Sequence, residues 1–305
     1  MTDSDWIDRI QQLKAARGAV ILAHNYQHPA VQDLADFSGD SLELSRLAAT
    51  VDAEVIVFCG VHFMAETAAI LSPEKTVLLP TAEAGCPMAD MVTADQLRDW
   101  KRSHPTARVI CYVNSSAEVK AESDLCCTSA NAVDVVRACA DASEILFVPD
   151  QNLGEYAAAQ AGRPLILWDG YCLVHEQIDV QQVARARAQH PDAVLMVHPE
   201  CRRAVREAAD QVLSTGQMCR FAATAAAAEF LVGTETGILH RLRSENPGKC
   251  FYPVSAKAVC SDMKKIELPT VAEALAKMQH RVTVPPAVAA RARAAIEGMI
   301  RIGGR

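Results

Sequence analysis

Aromatic residues are scarce in this chain: Phe, Trp and Tyr make up 5% of its 305 residues. That scarcity argues against a platform for stacking nucleotide bases. Clustered basic stretches are also missing, and the formal net charge is −7. Neither nucleic acid nor an anionic membrane then finds the electrostatic footprint it needs. No run approaches the roughly 18 consecutive apolar residues of a membrane helix. The start, Met1-Thr2-Asp3-Ser4-Asp5-Trp6, lacks the basic and apolar regions of a signal peptide. A cytoplasmic protein with no nucleic-acid or membrane partner is expected, in a reducing compartment where disulfide frameworks are not. No two cysteines stand at C-x-x-C spacing, which excludes zinc ribbons, thioredoxin-type dithiols and ferredoxin-type runs. Glycine/serine linkers and low-complexity segments are absent too.

What is present is an odd total of 11 cysteines in a chain that is 50% hydrophobic and 22% charged. The composition is that of a globular protein with a sizeable core, and length alone suggests roughly two domains. With disulfides set aside, each cysteine is a buried small hydrophobe, a metal ligand or a nucleophile.

Self-similarity revises the domain count. Three apolar runs, Ala19–Ala23, Arg108–Cys111 and Ala193–Val197, lead into the pairs His24/Tyr26, Tyr112/Asn114 and His198/Glu200, whose first members lie 88 and 86 residues apart. A hydroxyl residue follows 17 positions after each anchor: Ser41, Ser129 and Thr215. A second apolar run comes next, near Glu54–Phe58, Glu144–Val148 and Glu229–Val232. Each copy then reaches a cysteine, Cys86, Cys172 or Cys260, at offsets of 62, 60 and 62. A period of about 87 residues is too long for a solenoid unit and suits a small α/β unit of three or four strands.

Runs such as Val55–Phe58, Thr76–Leu79, Ile145–Val148 and Leu165–Trp168 read as buried parallel strands. Asp3–Ala16, Leu42–Thr50, Asn131–Ala140, Val180–Gln189, Arg202–Val212 and the Ala222–Ala228 patch read as helices. The tail carries helical stretches at Val271–Met278 and from Pro286 to about Ile300, expected to pack back onto the first unit. Alternation of strand and helix implies right-handed crossovers. The expected fold is α/β: three homologous three-layer α/β/α units with parallel sheets around a pseudo-threefold axis. Their expected bounds are 1–86 plus 261–305, 87–172 and 173–260.

Ligands gather at the carboxyl ends of parallel strands, and residues at i and i+2 point the same way. The three anchor pairs are therefore expected to face one pocket rather than open water. Ser41, Ser129 and Thr215 stand near helix starts, as N-caps or as hydroxyls beside free N–H groups that attract anions. Three such starts would hold a substrate with several carboxylates or a phosphate without many cations. One cysteine per unit, meeting at the axis, gives a three-thiolate site for zinc with an open position or for an iron–sulfur cluster. The other eight cysteines are expected in the core. On these residues the chemistry is metal-assisted dehydration or condensation of an acidic metabolite.

The same stretches carry a resemblance. Leu22-Ala23-His24-Asn25-Tyr26-Gln27, Gly39-Asp40-Ser41, Cys59–Glu66, Tyr112-Val113-Asn114-Ser115, Thr128–Asn131, Val197–Cys201, Gly233–Gly237 and Cys260–Ile266 are similar to those of the quinolinate synthase family. The resemblance implies condensation of iminoaspartate (iminosuccinate) with dihydroxyacetone phosphate to give quinolinate, phosphate and water, a step of NAD biosynthesis. It implies a [4Fe–4S] cluster held by Cys86, Cys172 and Cys260, with an open iron acting as a Lewis acid in dehydration. Substrate contacts would come from His24, Ser41, Tyr112, Asn114, Ser129, His198, Glu200 and Thr215. Catalytic positions would be Tyr26, Tyr112, Glu200 and His175. An L-aspartate oxidase or dehydrogenase would supply iminoaspartate. One departure is the lack of a C-x-x-C-x-x-C run near the C-terminus, where only Cys260 stands before Ser261-Asp262-Met263, so no disulfide switch is available there. The alternatives are a zinc- or iron–sulfur-dependent lyase or aldolase on another acidic metabolite, and a non-enzymatic iron–sulfur sensor or redox partner.

Overall fold

Short runs of Val, Ile, Leu and Phe bounded by polar turns become twelve strands among residues 1–302, which the computed structural model describes. The first four are β1 (Ala19–His24), β2 (Phe37–Gly39), β3 (Val55–Cys59) and β4 (Thr76–Leu78). Next come β5 (Arg108–Tyr112), β6 (Leu125–Cys127), β7 (Ile145–Val148) and β8 (Ile166–Leu167). The last are β9 (Val194–Val197), β10 (Gln211–Val212), β11 (Glu229–Gly233) and β12 (Cys250–Pro253). They build three parallel sheets with one repeated order: β2-β1-β3-β4, β6-β5-β7-β8 and β10-β9-β11-β12. With helices around each sheet, the α/β/α architecture expected from the repeat is the one observed.

The register repeats as well. Leu22 pairs with Phe37, Tyr112 with Cys127 and Val197 with Val212, a spacing of fifteen residues each time. Each short second strand is locked by an aspartate just before it. The Asp36, Asp124 and Asp210 carboxylates accept the backbone N–H groups of Ile21, Val109 and Leu195 at 2.8, 2.7 and 2.8 Å. A strand of two or three residues makes few ladder bonds, and this side-chain bond extends the pairing by one step. The central strands are buried on both faces, as near-continuous apolar runs require.

Two expected helices end early. The run from Arg202 forms a helix only over Arg203–Glu207, and Gln211–Val212 becomes the edge strand β10. The Ala222–Ala228 patch leaves the helix Thr215–Thr224 at Ala225. Lys249 Nζ donates to the carbonyls of Ala222 and Ala225, both at 2.6 Å, closing that helix end so the chain can enter β11. Helix propensity of Ala yields here to sheet pairing. In the tail, Leu268–Lys277 packs on Asp3–Ala16 and β3, within the first unit as expected. The last helix, Pro286–Arg301, instead lies mainly against β6 and the helix Ala117–Ala121. Asn131 Nδ2 ties it there by donating to the carbonyls of Met299 and Ile302. Residues 303–305 of the expected first unit lie outside the described residues.

Candidate active site

Identical strand order aims the carboxyl ends of β1, β5 and β9 at one place. A cavity of about 250 Å³ opens there. It is lined by all thirteen residues singled out from the sequence: Tyr26, His175 and the eight expected substrate contacts, together with Cys86, Cys172 and Cys260. No Lys or Arg is among its described lining residues. Any anion held here must be met by neutral donors and helix starts.

Those starts differ from the N-cap reading in one respect. Asp40 and Ser214 are the caps of Ser41–Thr50 and Thr215–Thr224, each with a reciprocal bond from the third helical residue. Ahead of Ala132–Ala138 the build differs: Thr128 N donates to Asn131 Oδ1 at 2.8 Å and Ala130 N to Thr128 Oγ1 at 3.2 Å, while Asn131 is the N-cap and makes no side-chain cap bond. Ser41 and Thr215 each follow the capping residue, and Ser129 precedes its helix's N-cap Asn131 by two positions, so none of the three hydroxyls is consumed by capping. Asn25 Nδ2 donates to Thr215 Oγ1 at 3.0 Å, leaving that hydroxyl's proton for the cavity. Asn114 Oδ1 is buried and has no hydrogen-bond partner among the described residues, as expected of a group placed for a ligand.

His24 and His198 are alike. The N–H of Tyr26 donates to His24 Nδ1 at 3.2 Å, and that of Glu200 to His198 Nδ1 at 3.3 Å. An accepting Nδ1 puts the proton on Nε2 in both rings. Burial pushes both pKa values down to about 3, with the Lys264 charge assisting at His24. Both rings are therefore neutral Nε2–H donors. In the unfolded chain they protonate near 6.5, so only the unfolded state binds these protons between pH 6.5 and 3. Stability is full above that range and falls as the pH drops through it. Chemical unfolding should show a loss of roughly 2 kcal/mol from these two groups between about pH 7 and about pH 5.5. A His24→Gln, His198→Gln variant should flatten that part of the profile.

Glu200 is 3% exposed. Burial opposes its charge, but His175 and His198 beside it, with hydrogen bonds from His175 and Tyr112, hold the carboxyl below the usual carboxylate range. Its Oε2 lies 2.8 Å from His175 Nδ1, and its Oε1 accepts from Tyr112 Oη. Burial and the Glu200 charge push both Tyr26 and Tyr112 well above the ordinary phenol range. His175 stacks on His198 with centroids 4.6 Å apart.

The three cysteines share a local build. The N–H groups of Asp90, Glu176 and Lys264 donate to the carbonyls of Cys86, Cys172 and Cys260, closing one helical turn after each cysteine. Backbone N–H groups inside the turns point at sulfur: Met88 and Ala89 at Cys86, His175 at Cys172, Asp262 and Met263 at Cys260. Such donors favour thiolate, whereas burial without a cation pushes Cys86 up to about 12. Soft ligands of this kind, one per unit at one cavity, fit a metal centre that supplies the missing positive charge. Seven of the other eight cysteines are buried; Cys250 is exposed at the start of β12, contrary to the core expectation.

Sequence reasoning missed several neighbours. Thr234 and Glu235 follow β11; Thr234 has no hydroxyl counterpart in the other units, whereas Glu235 is matched by Asp150 after β7. Glu235 is fully buried, accepts from Cys260 N at 3.1 Å and Gly237 N at 2.7 Å, and pairs with Lys264 at 3.0 Å. Lys264 in turn donates to the Tyr26 carbonyl. This ion pair fastens the Cys260 turn to the end of β1. Asp150, also fully buried, sits beside Glu200 and Cys172, and burial raises its pKa.

A family described as Quinolinate synthetase A protein matches residues 8–301. The chain belongs to this family. Among curated relatives, quinolinate synthase of Methanoregula boonei is 54% identical over 295 residues, covering 97% of each chain. That of Dehalococcoides mccartyi (strain CBDB1) is 55% identical over 294 residues, covering 96% of this chain and 97% of its own. Quinolinate synthase 1 of Methanosarcina acetivorans is 51% identical over 302 residues, or 99% of each. The chain is thus an enzyme of the quinolinate synthase family, and no helix among its described residues is long and apolar enough to cross a membrane.

Proposed function

We propose that this enzyme condenses iminoaspartate with dihydroxyacetone phosphate to form quinolinate, releasing phosphate and water. The observation that carries the reading is the trio of matched cysteine turns lining one cavity together with neutral donors and the charged Glu200. Cys86, Cys172 and Cys260 would hold a [4Fe–4S] cluster. When bound, the cluster supplies a Lewis-acidic iron with one coordination position not taken by the protein.

The chain's own residues do the rest. Nε2–H of His24 and His198, the Ser41, Ser129 and Thr215 hydroxyls and Asn114 bind the carboxylates and phosphate. Tyr26, Tyr112, Glu200 and His175 handle the proton transfers of isomerisation, ring closure and dehydration. The three units divide at the cysteines, into 1–86 with 261–305, 87–172 and 173–260, with the last helix Pro286–Arg301 reaching across from the first unit onto the second. Iminoaspartate, a reactive imine, comes from an L-aspartate oxidase or dehydrogenase.

One observation favours a second reading. Ligand atoms of Cys172, His175 and Glu200 lie within 4.8 Å of one another, a set that suits a single zinc ion in a lyase or aldolase. Metal analysis of protein purified without oxygen separates the two. The cluster reading expects about four irons and four sulfides per chain with visible charge-transfer absorption. One zinc and no sulfide would establish the other.

A further inference from the structure

No cation lines the described part of the cavity, yet one guanidinium reaches it at second hand. Arg241 lies on the helix Ile238–Glu245 and lines no part of the cavity. Its Nη1 donates to Asn25 Oδ1 at 2.9 Å and to the Ser38 carbonyl at 3.0 Å. Its Nε donates to Glu245 Oε1 at 2.7 Å, which holds the guanidinium in place. Asn25 is fully buried just past β1, and its Nδ2 donates to Thr215 Oγ1 at 3.0 Å. Thr215, unlike the other two, does line the cavity.

The direction of these bonds follows from one chemical fact. Arginine has no acceptor, so the oxygen of the Asn25 amide has to face it. The NH2 end is then turned to Thr215, where it can only donate. Thr215 Oγ1 therefore accepts, and the one proton of its hydroxyl is left for the cavity. An amide free to flip could have taken that proton on its oxygen instead. The residues matching Asn25 after Tyr112 and His198 are Val113 and Pro199, which carry no side-chain donor. One hydroxyl of the three is controlled in this way.

We propose that Arg241 and Asn25 are positioning residues that make Thr215 an obligate donor, selecting an acceptor-only oxygen of a substrate, carboxylate or phosphate. This rests on the reading of the cavity as the quinolinate-forming site. The charge of Arg241 polarises the amide and, through it, the hydroxyl. An anion is thus met by a strengthened neutral donor, and the cation itself stays outside the cavity.

The test compares wild type, Asn25→Asp, Thr215→Val and the double variant, assayed anaerobically with KM for iminoaspartate and for dihydroxyacetone phosphate measured separately. A carboxylate at position 25 keeps its pairing with Arg241 but accepts the Thr215 proton, so the hydroxyl turns lone pairs to the cavity. The expected result is a KM about thirtyfold higher for one substrate, the same one in both single variants. Which substrate it is tells carboxylate from phosphate. The double variant stays within threefold of Thr215→Val, because Asn25 acts through that hydroxyl alone. KM within threefold of wild type for both substrates in Asn25→Asp overturns the proposal. So does a KM raised equally for both, a loss confined to kcat, or a double variant in which the two effects multiply. If Asn25→Asp yields no folded, iron-loaded protein, Arg241→Gln takes its place. Glutamine can accept as well as donate, so it frees the amide to turn, and KM for that same substrate rises at least threefold; no rise overturns the proposal. Wild type that makes no quinolinate sinks the reading of the site and the proposal with it, whereas active wild type with unmoved KM in the variants sinks the proposal alone.

Discussion

Cys172→Ala is expected to abolish both iron loading and quinolinate formation. Cys172 is one of three matched sulfurs, each at the head of a single helical turn and each facing the cavity. Removing one leaves two thiols whose burial favours the protonated, non-ligating form. A cluster held by three thiolates tolerates that loss poorly, because neighbouring sulfurs depend on the bound cation to stay ionised. Cys250→Ser is the control. Cys250 is exposed on β12 and lines no part of the cavity, so its loss leaves iron content and rate at wild-type values. Iron retained at full occupancy in Cys172→Ala, with activity intact, contradicts the three-cysteine assignment.

Glu200→Gln is expected to lower kcat by about a thousandfold while leaving the protein at least as stable. The two effects have one cause. Glu200 carries its charge inside the protein because His175 and Tyr112 both donate to it. A neutral amide relieves the burial cost, yet its NH2 must face one of those two donors. That mismatch reverses or breaks the hydrogen-bond direction on which proton transfer depends. Steady-state kinetics with thermal unfolding reads both: kcat falls, KM moves little, and the melting temperature holds or rises. A rate within tenfold of wild type assigns the proton transfers elsewhere.

The cavity was legible in the sequence because its parts repeat. His24, Tyr112 and His198 end equivalent strands, and the hydroxyls and cysteines keep their offsets, so three weak signals reinforced one another. Asp36, Asp124 and Asp210 repeat at the same intervals, but aspartate in a loop is too common to stand out before its bond to the neighbouring strand is seen. The strands β2, β6 and β10 hold two or three residues, too few to build a period of two. Thr234 was out of reach for the opposite reason. It has no counterpart in the other units, and its meaning lies in bonds to Tyr26 and His175, which are 208 and 59 residues away. The Ala222–Ala228 patch misled because propensity is local, whereas the turn into β11 is set by the sheet.

Three cysteine turns from three units and the donors facing them are proposed to form a single quinolinate-forming centre. Protein purified without oxygen, with its iron and sulfide counted, is supplied with dihydroxyacetone phosphate and freshly generated iminoaspartate. Quinolinate and phosphate should appear together, in equal amounts, at a rate proportional to bound iron. Cluster-loaded protein that consumes neither substrate and forms no quinolinate contradicts the claim.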